Sequence, residues 1–231
     1  MACVLLGFFV CTEGGSSVHR IIRALEERPV IAAVRHLQDL PPALESPAGI
    51  IFFLTGNIFN IPGAVAQARE AGKLVFLHAD MLQGLSRDDY GIRYLTENVG
   101  PDGIITTRSS LVAAARSHGL MTVQRTFLLD SQSVVTGIQL VREAKPDVLE
   151  VLPGIIPSEV QEIVKKIKIP LITGGLVKTK GQCYAAFRAG ASGVSTSRQE
   201  LWDLMPAATV NRAAAALGKE VDPFRAQSVV R

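Results

Sequence analysis

The chain has 231 residues, 48% of them hydrophobic, 19% charged and 6% aromatic, with a formal net charge of +3. That length suits one domain with a good-sized core, and the composition excludes a disordered or fibrous protein. So small a net charge excludes a globally basic nucleic-acid binder, and any such surface has to be a local patch.

Along the chain, the apolar opening at residues 2–10 has no Lys or Arg before it. It is far shorter than the roughly 20 residues that span a bilayer. Residues 1–15 are therefore expected to be an unstructured N-terminal extension, with no membrane partner. Cys3, Cys11 and Cys183 are few, odd in number and widely spaced, the pattern of reduced thiols in a cytoplasmic protein and not of a disulfide framework or a zinc site. Val18, Ile21, Ile22 and Leu25 then repeat at helical spacing, with Ser16 or Ser17 available as a cap, so a helix precedes the first strand.

Eight short apolar runs follow, at residues 29–34, 50–54, 73–77, 102–106, 120–124, 147–152, 169–173 and 193–196. Ile50-Ile51-Phe52-Phe53 and Leu74-Val75-Phe76-Leu77 are apolar without alternation, as strands covered on both faces are. Helical segments fill most gaps, at 62–71, 88–98, 109–118, 131–145, 157–167 and 179–189. Several of them carry Pro at the start or Gly just past the end. The first gap, around Pro41 and Pro42, has room for a short helix only. Strict alternation of buried strands and helices means a parallel sheet, and eight units favour a closed (β/α)₈ barrel over an open flavodoxin-like sheet. Two Pro-Asp steps, at Asp102 and Asp147, repeat one device that ends a helix and enters a strand. The barrel is expected over residues 16–202. Residues 203–231 carry one Ala-rich patch among breakers and read as a loosely ordered tail.

Barrel sites form at the C-terminal ends of the strands, and there the chain places Arg35, His78, Asp80, Arg108, Arg125, Glu150, Gly174, Gly175, Ser195, Thr196 and Ser197. The last two loops carry the strongest signal, because barrels commonly bind phosphate after strands seven and eight, beside a helix N-terminus. Gly174 and Gly175 let backbone N–H groups close on an anion, while Ser195, Thr196 and Ser197 add hydroxyls. A tight turn and a helix cap explain the same residues without a ligand. His78 and Asp80 share a strand face and read as an acid/base pair, metal ligands or ligand-hydroxyl contacts. No third residue stands at metal-ligand spacing, so no metal is expected. Glu150 sits inside a strand, where a carboxylate needs a cation or a ligand; Arg35 and Arg125 are the candidates. Arg108 and Lys178 could meet an anion, or serve as a cap and a solvated loop residue. Lys73 begins the third run, at the wrong end of the barrel, and no other lysine stands within or at the end of a strand, which argues against a Schiff-base aldolase.

The ordered motifs Pro29-Val-Ile-Ala-Ala-Val-Arg35, Gly72-Lys-Leu-Val-Phe-Leu-His-Ala-Asp80 and Asp102-Gly-Ile-Ile-Thr-Thr-Arg-Ser109 belong together. With them go Gln124-Arg125, Glu150-Val-Leu-Pro-Gly154, Ile172-Thr-Gly-Gly-Leu176, Val194-Ser-Thr-Ser197 and Leu201-Trp202. In this order they resemble the glycerol uptake operon antiterminators, also called glycerol-3-phosphate-responsive antiterminators, from about Pro29 to Trp202. The resemblance implies a regulatory barrel that binds glycerol 3-phosphate as effector, without a cofactor, and then acts on leader mRNA to prevent transcription termination. A homo-oligomer is compatible with it. No RNA-recognition signature or aromatic-basic interleaving shows in the residues themselves. They leave open an enzyme acting on a small phosphorylated polyol, with His78, Asp80 and Glu150 as its acid/base or metal groups.

Overall fold

A computed structural model describes residues 17–205. The expected N-terminal extension, the cap at Ser16 and the tail from residue 206 lie outside the described residues. Helix α1 (Ser17–Glu27) comes first, followed by eight strands: β1 (Val30–Val34), β2 (Ile50–Phe53), β3 (Leu74–His78), β4 (Gly103–Thr106), β5 (Met121–Phe127), β6 (Val148–Leu152), β7 (Leu171–Gly174) and β8 (Gly193–Thr196). All are parallel and close in sequence order into a barrel, β8 pairing with β1 through Ile31 and Ser195. The connecting helices are α2 (Leu40–Glu45), α3 (Ile61–Glu70), α4 (Asp89–Tyr94), α5 (Ser109–Ser117), α6 (Ser131–Ala144), α7 (Pro157–Lys166) and α8 (Lys180–Arg188). A TIM barrel preceded by a helix is therefore the fold.

Most element ends shift by one or two residues from the sequence reading, and two departures are larger. The segment at 88–98 is not one helix: α4 stops at Tyr94 and a π-helical turn, Leu95–Val99, closes on Gly100 at φ +67°. Strand β5 runs to Phe127 because its ladder with β6 continues through Thr126↔Val151 and Phe127↔Leu152. Arg125, expected at the strand end, thereby lies two residues inside it.

Every strand residue through β4, and all but the last of β5 and β6, is buried, as the unbroken apolar runs require. Alternate residues such as Ile31, Phe52, Phe76, Val123, Val148 and Ile172 fill the barrel axis, joined from below by Ile21 and Leu25 of α1. Phe52 and Phe76 meet edge to face, with ring centroids 5.6 Å apart. Gly103 makes room for them, since a Cβ there would lie 2.5 Å from Phe76 Cε1.

The repeated Pro-Asp step has a physical role in both places. Asp102 Oδ2 accepts from the Val75 N–H at 2.9 Å, and Asp147 Oδ2 accepts from the Thr122 N–H at 2.8 Å. Each carboxylate thus ties the start of one strand to the entry of the next. After β8, a 3₁₀ turn (Gln199–Leu201) leads to Trp202, buried and donating from Nε1 to the Thr196 carbonyl at 2.8 Å. Leu204 is also buried, so residues 203–205 still pack on the barrel.

Candidate functional site

The period of two that points Phe76, Val123, Val148, Ile172 and Gly193 along the barrel axis also points the next residue but one inward. Those residues are His78, Arg125, Glu150, Gly174 and Ser195. They form a polar layer above the apolar core, at the C-terminal mouth. Glu150 is fully buried. Its Oε2 accepts from Arg125 Nε at 2.7 Å and its Oε1 from Ser195 Oγ at 2.6 Å. A lone carboxylate would be too costly there; a charge-assisted bond and a hydroxyl keep it in place. Gly174 permits the crossing between β6 and β8, since a Cβ would lie 2.3 Å from Ser195 Oγ and 2.9 Å from Glu150 Oε1. Of the two cations expected to answer Glu150, Arg125 does so and Arg35 does not.

His78 is 5% exposed. Burial first, and then the Arg125 charge, push its pKa down to about 4, against the opposing pull of Asp80 and Glu150. The ring is neutral at pH 7. Its Nδ1 is buried without a hydrogen-bond partner and stands 3.9 Å from Asp80 Oδ2, beyond hydrogen-bond reach. Asp80, on the 3₁₀ turn Ala79–Met81, instead holds the end of β4. It accepts from Thr107 N at 2.7 Å, Thr106 Oγ1 at 3.0 Å and Thr107 Oγ1 at 3.2 Å, and pairs with Arg108 Nε at 3.3 Å. Asp80 and Arg108 thus answer each other across the β3 and β4 ends, and the expected His78–Asp80 pair is not hydrogen-bonded. Among the described residues, no group of three or more His, Cys, Asp or Glu is placed to hold a metal, and Cys183 is a free, buried thiol.

Above this layer opens a cavity of about 450 Å³. Arg35, Arg125, Lys178 and Arg198 line it together with Gly175, Ser195, Thr196 and Ser197, while Leu54, Leu152 and Leu176 supply an apolar wall. No carboxylate is in the lining, so an anion meets only positive charge and dipoles. Of the residues expected at the site, His78, Asp80, Arg108, Glu150 and Gly174 do not line it. They stand beside or beneath it.

The hydroxyls behave differently from the expectation of three phosphate donors. Ser195 is engaged with Glu150, and Thr196 Oγ1 donates to the Val177 carbonyl at 3.1 Å while accepting from Arg198 N at 3.2 Å. Ser197 is the exposed hydroxyl of the three. The backbone after β7 does turn as a glycine turn should: Gly175 is at φ +69° and Leu176 at φ +59°. The left-handed region costs a non-glycine residue about 1–2 kcal/mol, and Leu176 is held there at the lip, 59% exposed. The α8 N-terminus is closed by its own capping box, Thr179 Oγ1 accepting from Gln182 N and Gln182 Oε1 from Thr179 N and Lys178 N.

Arg198 was absent from the sequence candidates. Its signal is positional: it directly follows the Ser-Thr-Ser end of β8 and enters the turn beside the cavity. Leu176 was missed for a different reason, because nothing in a leucine's identity announces a positive φ.

The profile of the "Glycerol-3-phosphate responsive antiterminator" family matches residues 30–202. The uncharacterized protein YgcP of Escherichia coli is 36% identical over 184 residues, which are 80% of this chain and 96% of that protein. Among solved structures, the glycerol uptake operon antiterminator regulatory protein of Listeria monocytogenes superposes with a TM-score of 0.72 at 38% identity, covering 75% of this chain and 94% of its own. A glycerol uptake operon antiterminator-related protein of Thermotoga maritima gives 0.69 at 29%, covering 77% and 99%. The N-acetylmannosamine-6-phosphate 2-epimerase of Clostridium perfringens, at 14% identity and a TM-score of 0.59, covers 85% of this chain and 96% of its own and shows the fold alone.

Proposed function

This chain belongs to the glycerol-3-phosphate responsive antiterminator family, and on that premise we propose that its mouth cavity binds glycerol 3-phosphate as an effector and that the loaded protein acts on leader mRNA to prevent transcription termination. The observation that carries the reading is the lining itself: four cations, Arg35, Arg125, Lys178 and Arg198, and no carboxylate. A phosphate monoester, doubly or nearly doubly charged at neutral pH, suits such a lining, and the apolar wall of Leu54, Leu152 and Leu176 suits a short carbon backbone.

The groups that an enzyme on a small phosphorylated polyol would use support a regulator instead. Glu150 is tied to Arg125 and Ser195, and Asp80 to the end of β4. His78 keeps a buried Nδ1 without a hydrogen-bond partner, but it stands beneath the cavity and does not line it. General acid/base work needs a group within reach of a bound substrate; these carboxylates already have structural partners.

Transcription in vitro through the leader of the gene cluster that encodes the protein tests the proposal. Read-through should rise with added protein only when glycerol 3-phosphate is present, and equal read-through with and without it would refute the proposal.

A further inference from the structure

The rim carries more positive charge than a single small ligand can use, and fold stability does not account for the excess. Arg35, Lys178, Lys180 and Arg198 are exposed, and none of their side chains enters an ion pair or hydrogen bond among the described residues. Some exposed cations elsewhere are engaged, Arg23 with Glu27, Arg93 with Glu97 and Arg108 with Asp80; Arg142, Lys145, Lys165 and Lys168 are exposed and unpaired too, so what sets the rim apart is that Arg35, Lys178 and Arg198 converge on one cavity. At the opposite end of the barrel, Arg69 donates to the Gly100 carbonyl and Arg116 to that of Lys145.

The position of the rim lysines also works against the helix they begin. Lys180 is the first residue of α8, Lys178 lies two before it, and the first turn holds no acidic residue. Cations have the wrong sign for the positive end of the helix dipole. Arg35, Lys178 and Arg198 line one cavity, so like charges are gathered at a single opening. A phosphate monoester offsets roughly two positive charges; Glu150 already answers Arg125, so the phosphate draws on two of Arg35, Lys178 and Arg198 and leaves the third together with Lys180. At least two outer cations then still face solvent above the loaded cavity.

We infer that the loops after β7, β8 and β1 form the contact for the RNA sugar-phosphate backbone, so that RNA crosses the mouth that holds the effector. This rests on the RNA-binding part of the proposed function and assigns it to Arg35, Lys178, Lys180 and Arg198. The opposite, N-terminal face of the barrel then plays no part in RNA binding.

The test uses the full chain with saturating glycerol 3-phosphate and measures affinity for the leader transcript by fluorescence anisotropy across a salt series. Lys180 does not line the cavity, so Lys180→Gln should leave calorimetric affinity for glycerol 3-phosphate unchanged. RNA affinity should fall about fivefold at 0.1 M salt and the logarithmic salt slope should shrink by about 0.7, the contribution of one single-strand phosphate contact. Adding Arg198→Gln should produce a further loss of about fivefold. The pair Lys165→Gln/Lys168→Gln, on the opposite face, should bind RNA as the unaltered protein does. Rim variants with unchanged RNA affinity and slope, or an equal loss in the opposite-face pair, would overturn the assignment while leaving the antiterminator reading in place. If the unaltered protein binds no RNA at any effector concentration, the proposed function fails first and this inference falls with it.

Discussion

Replacing Glu150 by glutamine isolates the polar layer on which the cavity rests. The carboxylate is fully buried between Arg125 Nε at 2.7 Å and Ser195 Oγ at 2.6 Å. Glutamine keeps its volume and can still accept from Ser195, but it leaves the Arg125 guanidinium, 7% exposed, without a counter-charge. Breaking a buried pair by removing one partner costs about 3–5 kcal/mol, and the retained hydroxyl contact places this change near the lower end. For a domain of this size each kcal/mol moves Tm by about 2–4 °C, so Glu150→Gln should melt about 6–12 °C below the unaltered protein. The released guanidinium lines the cavity, and an anion bound there restores what the carboxylate supplied. Glycerol 3-phosphate should therefore raise the Tm of Glu150→Gln by more than it raises that of the unaltered protein, by mass action on a tighter site. The double variant Arg125→Met/Glu150→Leu should be more stable than either single change, because no buried charge is left over. Circular-dichroism melts with and without ligand read all three outcomes. A Tm within about 2 °C of the unaltered protein, or a ligand-induced rise no larger than in it, would refute the claim that Arg125 serves both the buried pair and the cavity.

Other expectations follow from the same layer. Gly174→Ala sets a Cβ 2.3 Å from Ser195 Oγ and should cost about 1–3 kcal/mol by overpacking; an unchanged urea midpoint would show that β6 and β8 do not cross as described. At Gly175, φ is +69° and an added Cβ would meet Leu152 Cδ2 at 3.1 Å. Gly175→Ala should therefore lose about 1–2 kcal/mol whether or not ligand is present, and full stability in urea would contradict the strain. His78, with its pKa pushed down to about 4, binds its proton more readily unfolded than folded. Its contribution to stability is complete above pH 6.5 and is lost as pH falls toward 4, by about 3 kcal/mol in all. His78→Gln should flatten that part of the stability profile, and an unchanged slope would show that another group titrates there.

The barrel was legible because its strands are unbroken apolar runs and its helices end on glycine or begin on proline, as Gly72, Gly119, Gly190 and Pro157 show. The need of Glu150 for a cation could be read from its phase with Val148 and Leu152, and Arg125 supplies it. What could not be read depends on side chains crossing between strands. Ser195 looks like a free hydroxyl at a strand end, yet the missing side chain at Gly174 lets it reach a carboxylate two strands away. Asp80 follows His78 at a spacing that suggests a pair, but the 3₁₀ turn after β3 directs it to Thr106, Thr107 and Arg108. Arg125 was expected at the very end of its strand; the ladder with β6 continues to Phe127 and carries it inside.

The central claim is that the cavity ringed by Arg35, Arg125, Lys178 and Arg198 recognises a phosphorylated polyol. Calorimetric titration with glycerol 3-phosphate, against glycerol and inorganic phosphate as controls, tests it most directly. The account predicts saturable binding of glycerol 3-phosphate, weaker binding of inorganic phosphate and none of glycerol, with the glycerol 3-phosphate signal lost in Arg125→Gln/Arg198→Gln. Absence of binding, or an affinity for glycerol equal to that for glycerol 3-phosphate, would contradict it.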